Sequence, residues 1–399
     1  MINIAILGFG VVGSGVAQVI SENADSLSER LCGEKLNVKH ILDLREFPDH
    51  PLGDRVTKDF DKILNDEEVL IVVETMGGSH PAYDFSKKAL EAGKSVVTSN
   101  KEVVANFGAE LLAIAREKNV SYLFEASVGG GIPVIRPLSR CLAANNITRI
   151  AGILNGTTNY ILHEMFTNNK SFETALSDAQ AMGYAERNPA ADIEGHDACR
   201  KIAILSSLAS GTEVDCERIA TEGIADITLD DVHAAEAAGG VIKLIGYAEF
   251  DGGKVYSHVA PMFIKNENML SGINGVMNGI LITGDAVGDV MFYGAGAGKL
   301  PTASAVVADI VDSAIHASRR KIIGWKKARG DVMKSTGNDF AYLVRCENTE
   351  DEVKAVANAD IILCENGTVV FMTEPMSLDS CELLKSKLGK VKSAIRVLN

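Results

Sequence analysis

M-I-N-I-A-I-L-G-F-G-V-V-G, from Met1 to Gly13, decides the fold. Residues 2–7 make a short apolar run that ends at glycine, the pattern of a buried strand. Gly8, Gly10 and Gly13 then give the G-x-G-x-x-G spacing, and an apolar segment from Val11 opens a helix. Strand, glycine loop and helix in that order form a dinucleotide-binding unit. The glycines allow the tight turn and the close approach of backbone to pyrophosphate, which rests on the helix N-terminus. Gly8, Phe9, Gly10, Val11, Val12 and Gly13 are therefore the candidate phosphate-binding residues.

Outward from this unit the βα alternation continues. A strand at 37–42 ends at Asp43 and Arg45. An acid there bonds the ribose 2′-hydroxyl of NAD, whereas an arginine accepts the 2′-phosphate of NADP, and Asp43 lies further from the glycines than the usual ~20 residues. The two residues pull in opposite directions, so the choice between NAD and NADP stays open. A strand at 70–73, a helix at 81–92 and a strand at 95–98 follow. The last delivers S-N-K and places Lys101 beyond a strand's carboxyl end, where open α/β sheets bind ligands. A helix at 109–118 and a strand at 120–124 lead to E-A-S-V-G-G-G-I-P, with Glu125 at the tip. Repeated βα steps predict a Rossmann-type doubly wound parallel sheet.

The chemistry is concentrated further on, in A-M-G-Y-A-E-R-N-P-A-A-D-I-E-G-H-D-A-C-R-K (Ala181 to Lys201). A helix is predicted at 171–182, capped by Ser171 and ended by Gly183. A second, apolar nearly all round, runs from about 196 to 210 and stops at Gly211. Asp197 and Lys201 stand four apart on one face that continues to Leu205 and Leu208. An acid and a lysine at the mouth of a buried helix are costly unless paired or used. That is where the sequence places the active site.

Composition bounds the rest. The 399 residues allow two or three domains, and a net charge of −14 speaks against a nucleic acid or an anionic membrane as partner. No apolar run approaches the ~20 residues of a membrane span. The first strand starts without a cationic, signal-like lead, as expected of a cytoplasmic protein. Seven scattered cysteines show neither a C-x-x-C pair nor zinc spacing, as expected of free thiols. Strand-like segments at 241–250, 254–262 and within 273–293 predict a second, mixed sheet. A helix from Pro301 at its first position carries G-A-G-A-G in front of it, with Gly298 a further candidate for contact with the cofactor. The basic stretch 319–336 reads as a linker. The final residues read β-α-β-β-α-β, including a turn at Asn366–Gly367, the order of a ferredoxin-like module.

G-Y-A-E-x-N-P-x-x-D-I-E-G-x-D-A, I-L-N-G-T-T-N-Y-I-L, F-E-A-S-V-G-G-G-I-P, T-S-N-K and G-A-G-A-G-x-x-P-T-A-S-A-V-V-A-D-I together resemble the homoserine dehydrogenase family, over roughly residues 1–325. The resemblance implies interconversion of L-homoserine and L-aspartate 4-semialdehyde with NAD(P), in threonine and methionine biosynthesis. It also implies roles: Lys201 as proton donor and acceptor, Asp197 orienting it, Lys101 bridging cofactor and substrate, and Glu186, Asp192 and Tyr184 holding the substrate. A sodium ion is implied on backbone oxygens of the stretch with Glu125, Val128, Gly130 and Ile132, and a homodimer or higher homo-oligomer through the second sheet. The implied domains are 1–131 for the dinucleotide (completed by a helix at 301–320), 132–300 for catalysis and dimerisation, a linker at 321–336, and an ACT-like module at 337–399. Two departures stand out: T-S-N-K for the family's T-A-N-K, and E-N-T-E-D-E-V where long members carry a P-G-V-L-type loop.

Two other readings compete. One is a non-enzymatic dinucleotide-sensing protein, which needs no proton relay. The other is an aldehyde dehydrogenase using Cys199, which the helical spacing turns away from Asp197 and Lys201.

Overall fold

Strand Ile2–Leu7 is the centre of a six-stranded parallel sheet. The chain, as a computed structural model, describes residues 1–317, 324–327, 339–365 and 367–398. Across the sheet the strands run Val56–Thr57, Leu36–Leu42, Ile2–Leu7, Val69–Glu74, Ser95–Thr98 and Tyr122–Leu123. In chain order that is 3-2-1-4-5-6, so the order reverses beside the first strand, where such sheets bind dinucleotides. The two-residue strand Val56–Thr57 was not predicted; it is too short to leave a periodic signal. The helix expected at 109–118 begins eight residues earlier, as Lys101–Lys118, because Asn100 caps it through Glu102 and Val103 N–H. Lys101 therefore starts a helix as well as following a strand.

Helix Lys299–Ile315 returns to the first sheet and crosses Val11–Glu22 closely. A Cβ on Gly15 would lie 2.9 Å from the Lys299 carbonyl and 3.1 Å from Ala303 Cβ, so this contact requires glycine. Pro301 is the third residue of this helix rather than its first. Residues 318–320, expected to extend it, lie outside the described residues.

The second sheet has ten strands. Nine follow one path: Gly288–Ala295, Met277–Gly284, Ile147–Ile153, Gly240–Asp251, Lys254–Lys265, Val391–Leu398, Tyr342–Cys346, Thr368–Thr373 and Ala359–Glu365. Ala220–Thr221 pairs beside Lys254–Lys265. Helix His196–Ser210 packs on this sheet through a nearly continuous buried surface. Gly246 makes that approach possible, since a Cβ there would lie 3.2 Å from Ile202 Cβ. The short helical segment after Pro133 ends in a π turn at Pro137–Cys141.

The tail keeps the predicted β-α-β-β-α-β order, and its sheet is continuous with the second sheet. Met262, Phe263 and Ile264 pair in parallel with Arg396, Val397 and Leu398. Arg345 adds a hydrogen bond of 2.9 Å to buried Asp231 on helix Leu229–Ala237. The expected linker falls largely outside the described residues, as does Asn366 of the predicted turn. Its described part, 324–327, is anchored. Trp325 is 2% exposed, its ring meets Phe124 edge-on at 5.5 Å, and its carbonyl accepts from Arg116 at 2.7 Å. Gly108 leaves the space for that ring, because a Cβ would lie 2.5 Å from Trp325 Cζ2.

Candidate active site

A cleft of about 690 Å³ opens at the carboxyl ends of the parallel strands, between the two sheets. Val12, Lys101, Gly130, Tyr184, Glu186, Asp192, Asp197, Lys201 and Gly298, all singled out from the sequence, line it together. A larger cleft, about 910 Å³, lies away from them beside Gly211 and the hairpin at 251–254; its lysines Lys254, Lys326 and Lys327 are on the surface. The candidate residues belong to the first.

Asp197 organises the centre. It stands in the first turn of His196–Ser210, where the helix dipole favours an acid. One carboxylate oxygen pairs with Lys101, and the other accepts from Lys201 Nζ at 2.7 Å. Lys201 also donates to the Leu154 carbonyl at 2.7 Å. Leu154 directly follows strand Ile147–Ile153, so the carboxyl end of that strand fixes the acceptor. Burial would raise the Asp197 carboxyl, but the ammonium charges of Lys201 and Lys101 outweigh it and hold it well below the ordinary carboxylate range. For Lys201 the balance goes the other way. Burial lowers its pKa, Asp197 opposes the shift, the Lys101 charge adds to it, and the net direction is downward.

Asp192 lies on the short helix Ala190–Ile193 and accepts from Asn155 Nδ2 at 2.7 Å. Burial raises its pKa; the Asn155 hydrogen bond counters this and the Asp197 charge reinforces it. Glu186 and Tyr184 stand at the exposed rim, with the Tyr184 ring 5.2 Å from Tyr160. Asn155, within I-L-N-G-T-T-N-Y, is not among the site residues that the sequence points to. It is 5% exposed and bonds both Asp192 and Asp197. An asparagine between an apolar run and G-T-T-N-Y is the one signal the sequence offers for it. Glu74, also missed, is fully buried at the end of Val69–Glu74 and accepts from Thr98 and the Met76 N–H. Burial pushes its carboxyl up to about 7.

The glycine loop fits a pyrophosphate. Gly8 has φ +88°, and a Cβ on Gly13 would lie 2.1 Å from the Gly8 carbonyl. Gly10, with nothing within 4 Å of a built Cβ, opens on free space at the N-terminus of Val11–Glu22, which no side chain caps. Phe9 N–H donates to Asp43 at 2.7 Å. Arg45 forks onto the same carboxylate at 2.9 and 2.8 Å and, with backbone bonds, holds it well below the ordinary carboxylate range. Phe9, Gly8, Gly10, Val11, Gly13, Asp43 and Arg45 form this neighbouring shelf rather than the cleft wall.

Glu125 does something the sequence did not foretell. Its carboxylate accepts the N–H groups of Val134, Ile135 and Arg136 at 2.6–2.9 Å and so caps the helical turn after Pro133. Beside it, Gly129 and Gly130 have φ of +74° and +55°. Among the described residues the carbonyls of Val128, Gly130 and Ile132 accept no hydrogen bond between backbone groups. No cluster of three acids, histidines or cysteines that could hold a metal occurs among the described residues. Cys199 is buried with its Sγ 3.4 Å from the Cys216 carbonyl, and burial raises its thiol, so it is no nucleophile for the cleft.

Among the described residues no helix is long and apolar enough to cross a membrane. Known proteins resemble this chain over most of its length. The family model "Homoserine dehydrogenase, NAD binding domain" matches residues 8–125, and "Homoserine dehydrogenase" matches 133–311. Homoserine dehydrogenase from Helicobacter pylori is 45% identical over 78% of this chain and 74% of its own length. That from Bacillus subtilis is 36% identical over 92% and 86%. The crystal structure of a homoserine dehydrogenase from Thiobacillus denitrificans superposes with a TM-score of 0.92 at 34% identity, covering 100% of this chain and 98% of the other. A hyperthermophilic archaeal homoserine dehydrogenase mutant, solved in complex with NADPH, aligns at 30% identity and a TM-score of 0.68 over 79% and 98%. These likenesses leave no support for a non-enzymatic sensor. The chain belongs to the homoserine dehydrogenase family of NAD(P)-dependent oxidoreductases.

Proposed function

We propose that the protein interconverts L-homoserine and L-aspartate 4-semialdehyde, with Lys201 as the group that takes and returns the hydroxyl proton. One observation carries this reading: a buried lysine, paired with a buried aspartate, faces a cleft that Val12 and Gly298 also line, next to the glycine shelf for the dinucleotide. NAD(P), when bound, supplies the hydride acceptor. The protein supplies the rest. Lys201 Nζ takes the proton in the oxidising direction, aided by a pKa lowered toward the working range. Asp197 holds that nitrogen in place and stabilises it once protonated. Lys101, anchored to Asp197 at the mouth of its helix, screens the charge gathering between cofactor and substrate. Glu186 and Asp192 receive the substrate's ammonium group, and Tyr184 closes the rim.

On the same reading Gly8 to Gly13 and Gly298 cradle the cofactor, and Asp43 and Arg45 meet its ribose. A sodium ion fits the free carbonyls of Val128, Gly130 and Ile132 beside Glu125, as a clamp on the loop between the sheets. Thermal stability in sodium chloride against choline chloride tests that site. The divisions at 131/132 and 336/337 are proposed as domain boundaries, the cytoplasm as the location, and a dimer through the second sheet as the assembly. The strand Gly288–Ala295, at the edge of that sheet with Tyr293 exposed, supports the last. The deciding experiment follows reduced nicotinamide by its near-ultraviolet absorbance with homoserine and either NAD or NADP. Absence of turnover with both cofactors would refute the assignment.

A further inference from the structure

Two carboxylates of this site share a single neutral donor. Asn155 Nδ2 lies 2.7 Å from Asp192 Oδ1 and 2.9 Å from Asp197 Oδ2, and an amide nitrogen carries two hydrogens, one for each. The amide cannot be turned round. Its oxygen accepts the Thr158 N–H at 2.9 Å, capping helix Gly156–Asn168, and a backbone N–H can only donate. We propose that Asn155 is the positioning residue of the acid pair, its amide tying Asp192 to Asp197 so that Asp192 is aimed at the substrate while Asp197 stays on Lys201. The inference rests on the dehydrogenase reading and deepens it.

The residue type follows from the double task. Serine, threonine and aspartate cap helices as well as asparagine does. A hydroxyl has one hydrogen and a carboxylate none, so none of them can donate to both acids. Among the described residues Asp192 has no ion-pair partner of its own, in contrast to Asp197. The charged groups facing it are Asp197 and Lys201 from helix His196–Ser210 and Lys101 from helix Lys101–Lys118, with Glu186 on the same cleft wall. Burial and Asp197 both push Asp192 toward its neutral form, and Asn155 is the contact that most opposes them. A protonated Asp192 no longer attracts an ammonium group.

Asn155→Ser keeps the cap and deletes the bridge. Its melting temperature and cofactor Kd are expected to stay near wild type. kcat/KM for homoserine is expected to fall roughly ten- to a hundredfold, mainly through KM, with the acid limb of its profile displaced to higher pH. Asn155→Asp, which sets a third carboxylate between the two, is expected to lose more. The ligand-free protein gives a readout independent of turnover: the ¹³C carboxyl resonance of Asp192, assigned by its loss in Asp192→Asn, should titrate higher in Asn155→Ser. A raised titration supports the positioning role even if the wild type proves inactive on homoserine. An unmoved titration, or a loss confined to the melting temperature with an unchanged pH profile, overturns it and leaves Asn155 a helix cap. If Asn155→Ser does not fold, Asn155→Thr, which keeps a capping oxygen and also lacks the second hydrogen, carries the same measurement.

Discussion

At the scale of single residues the site turns on how opposed charges are balanced around one buried ammonium. Lys201→Ala is expected to lower kcat at least about a hundredfold with little change in KM, as for a lost general base. A variant with near wild-type kcat would remove Lys201 from its role. Asp197→Asn tests the balance itself. Asp197 is the group that raises the Lys201 pKa against burial and the Lys101 charge. With it neutralised, Lys201 loses its proton at lower pH, so the alkaline rise of homoserine oxidation should move toward acid even as the maximal rate falls. A rise that stays in place would show that another group titrates. The acid–lysine pair was legible in the sequence because i,i+4 spacing on a buried helix fixes its geometry. Asn155 was not, because its two bonds reach Asp192 and Asp197 across a loop, and no local pattern encodes that meeting. Nor was the capping role of Glu125: sequence places it at a strand tip, whereas its partners are backbone groups nine to eleven residues on.

At the scale of elements, the helices with side-chain caps and glycine stops came out nearly to the residue. Phe172–Ala181 and His196–Ser210 show how Ser171, Gly183 and Gly211 punctuate the chain. Val56–Thr57 and the early start of Lys101–Lys118 escaped because they depend on a neighbouring strand and on one asparagine. The segment Gly324–Lys327 escaped for another reason: its basic residues hid a single buried anchor. Trp325 fills the hollow over Gly108, its carbonyl holds Arg116, and Lys326 exchanges two backbone bonds with Gly211 and Glu213. Trp325→Ala is expected to cost about 3–5 kcal/mol, the range for emptying a large aromatic site. Calorimetry or denaturant unfolding measures it. A loss below 1 kcal/mol would mean that the ring is replaceable packing.

At the scale of the whole molecule the tail is joined through the sheet itself. His258 lies on the strand that receives it, stacked 5.1 Å from Tyr247 and meeting Phe340 of the tail at 5.2 Å. Burial, with the Arg396 charge, lowers its pKa to about 3. The unfolded value is near 6.5. A depressed pKa of this kind contributes stability that is complete above pH 6.5 and is lost as pH falls toward 3, at up to about 1.4 kcal/mol per unit. His258→Phe, which keeps the ring stack and removes the titration, should therefore lose less melting temperature than wild type between pH 7 and 5. Parallel pH curves would exclude His258 as the acid-sensitive group. The β-α-β-β-α-β order of the tail was legible; its continuity with the catalytic sheet was not, because edge pairing between distant strands has no sequence period.

Asp197 takes one cation from each half of the molecule. Lys101 comes from a helix of the parallel sheet, and Lys201 from the helix on the mixed sheet. The carboxylate is 3% exposed, so salt in the surrounding solution screens it poorly. Parting the halves far enough to exchange a dinucleotide would strip it of Lys101 and leave a half-compensated charge in a low-dielectric wall. The aspartate beside the proposed base is thus also the clasp that ties one half of the molecule to the other across the cleft.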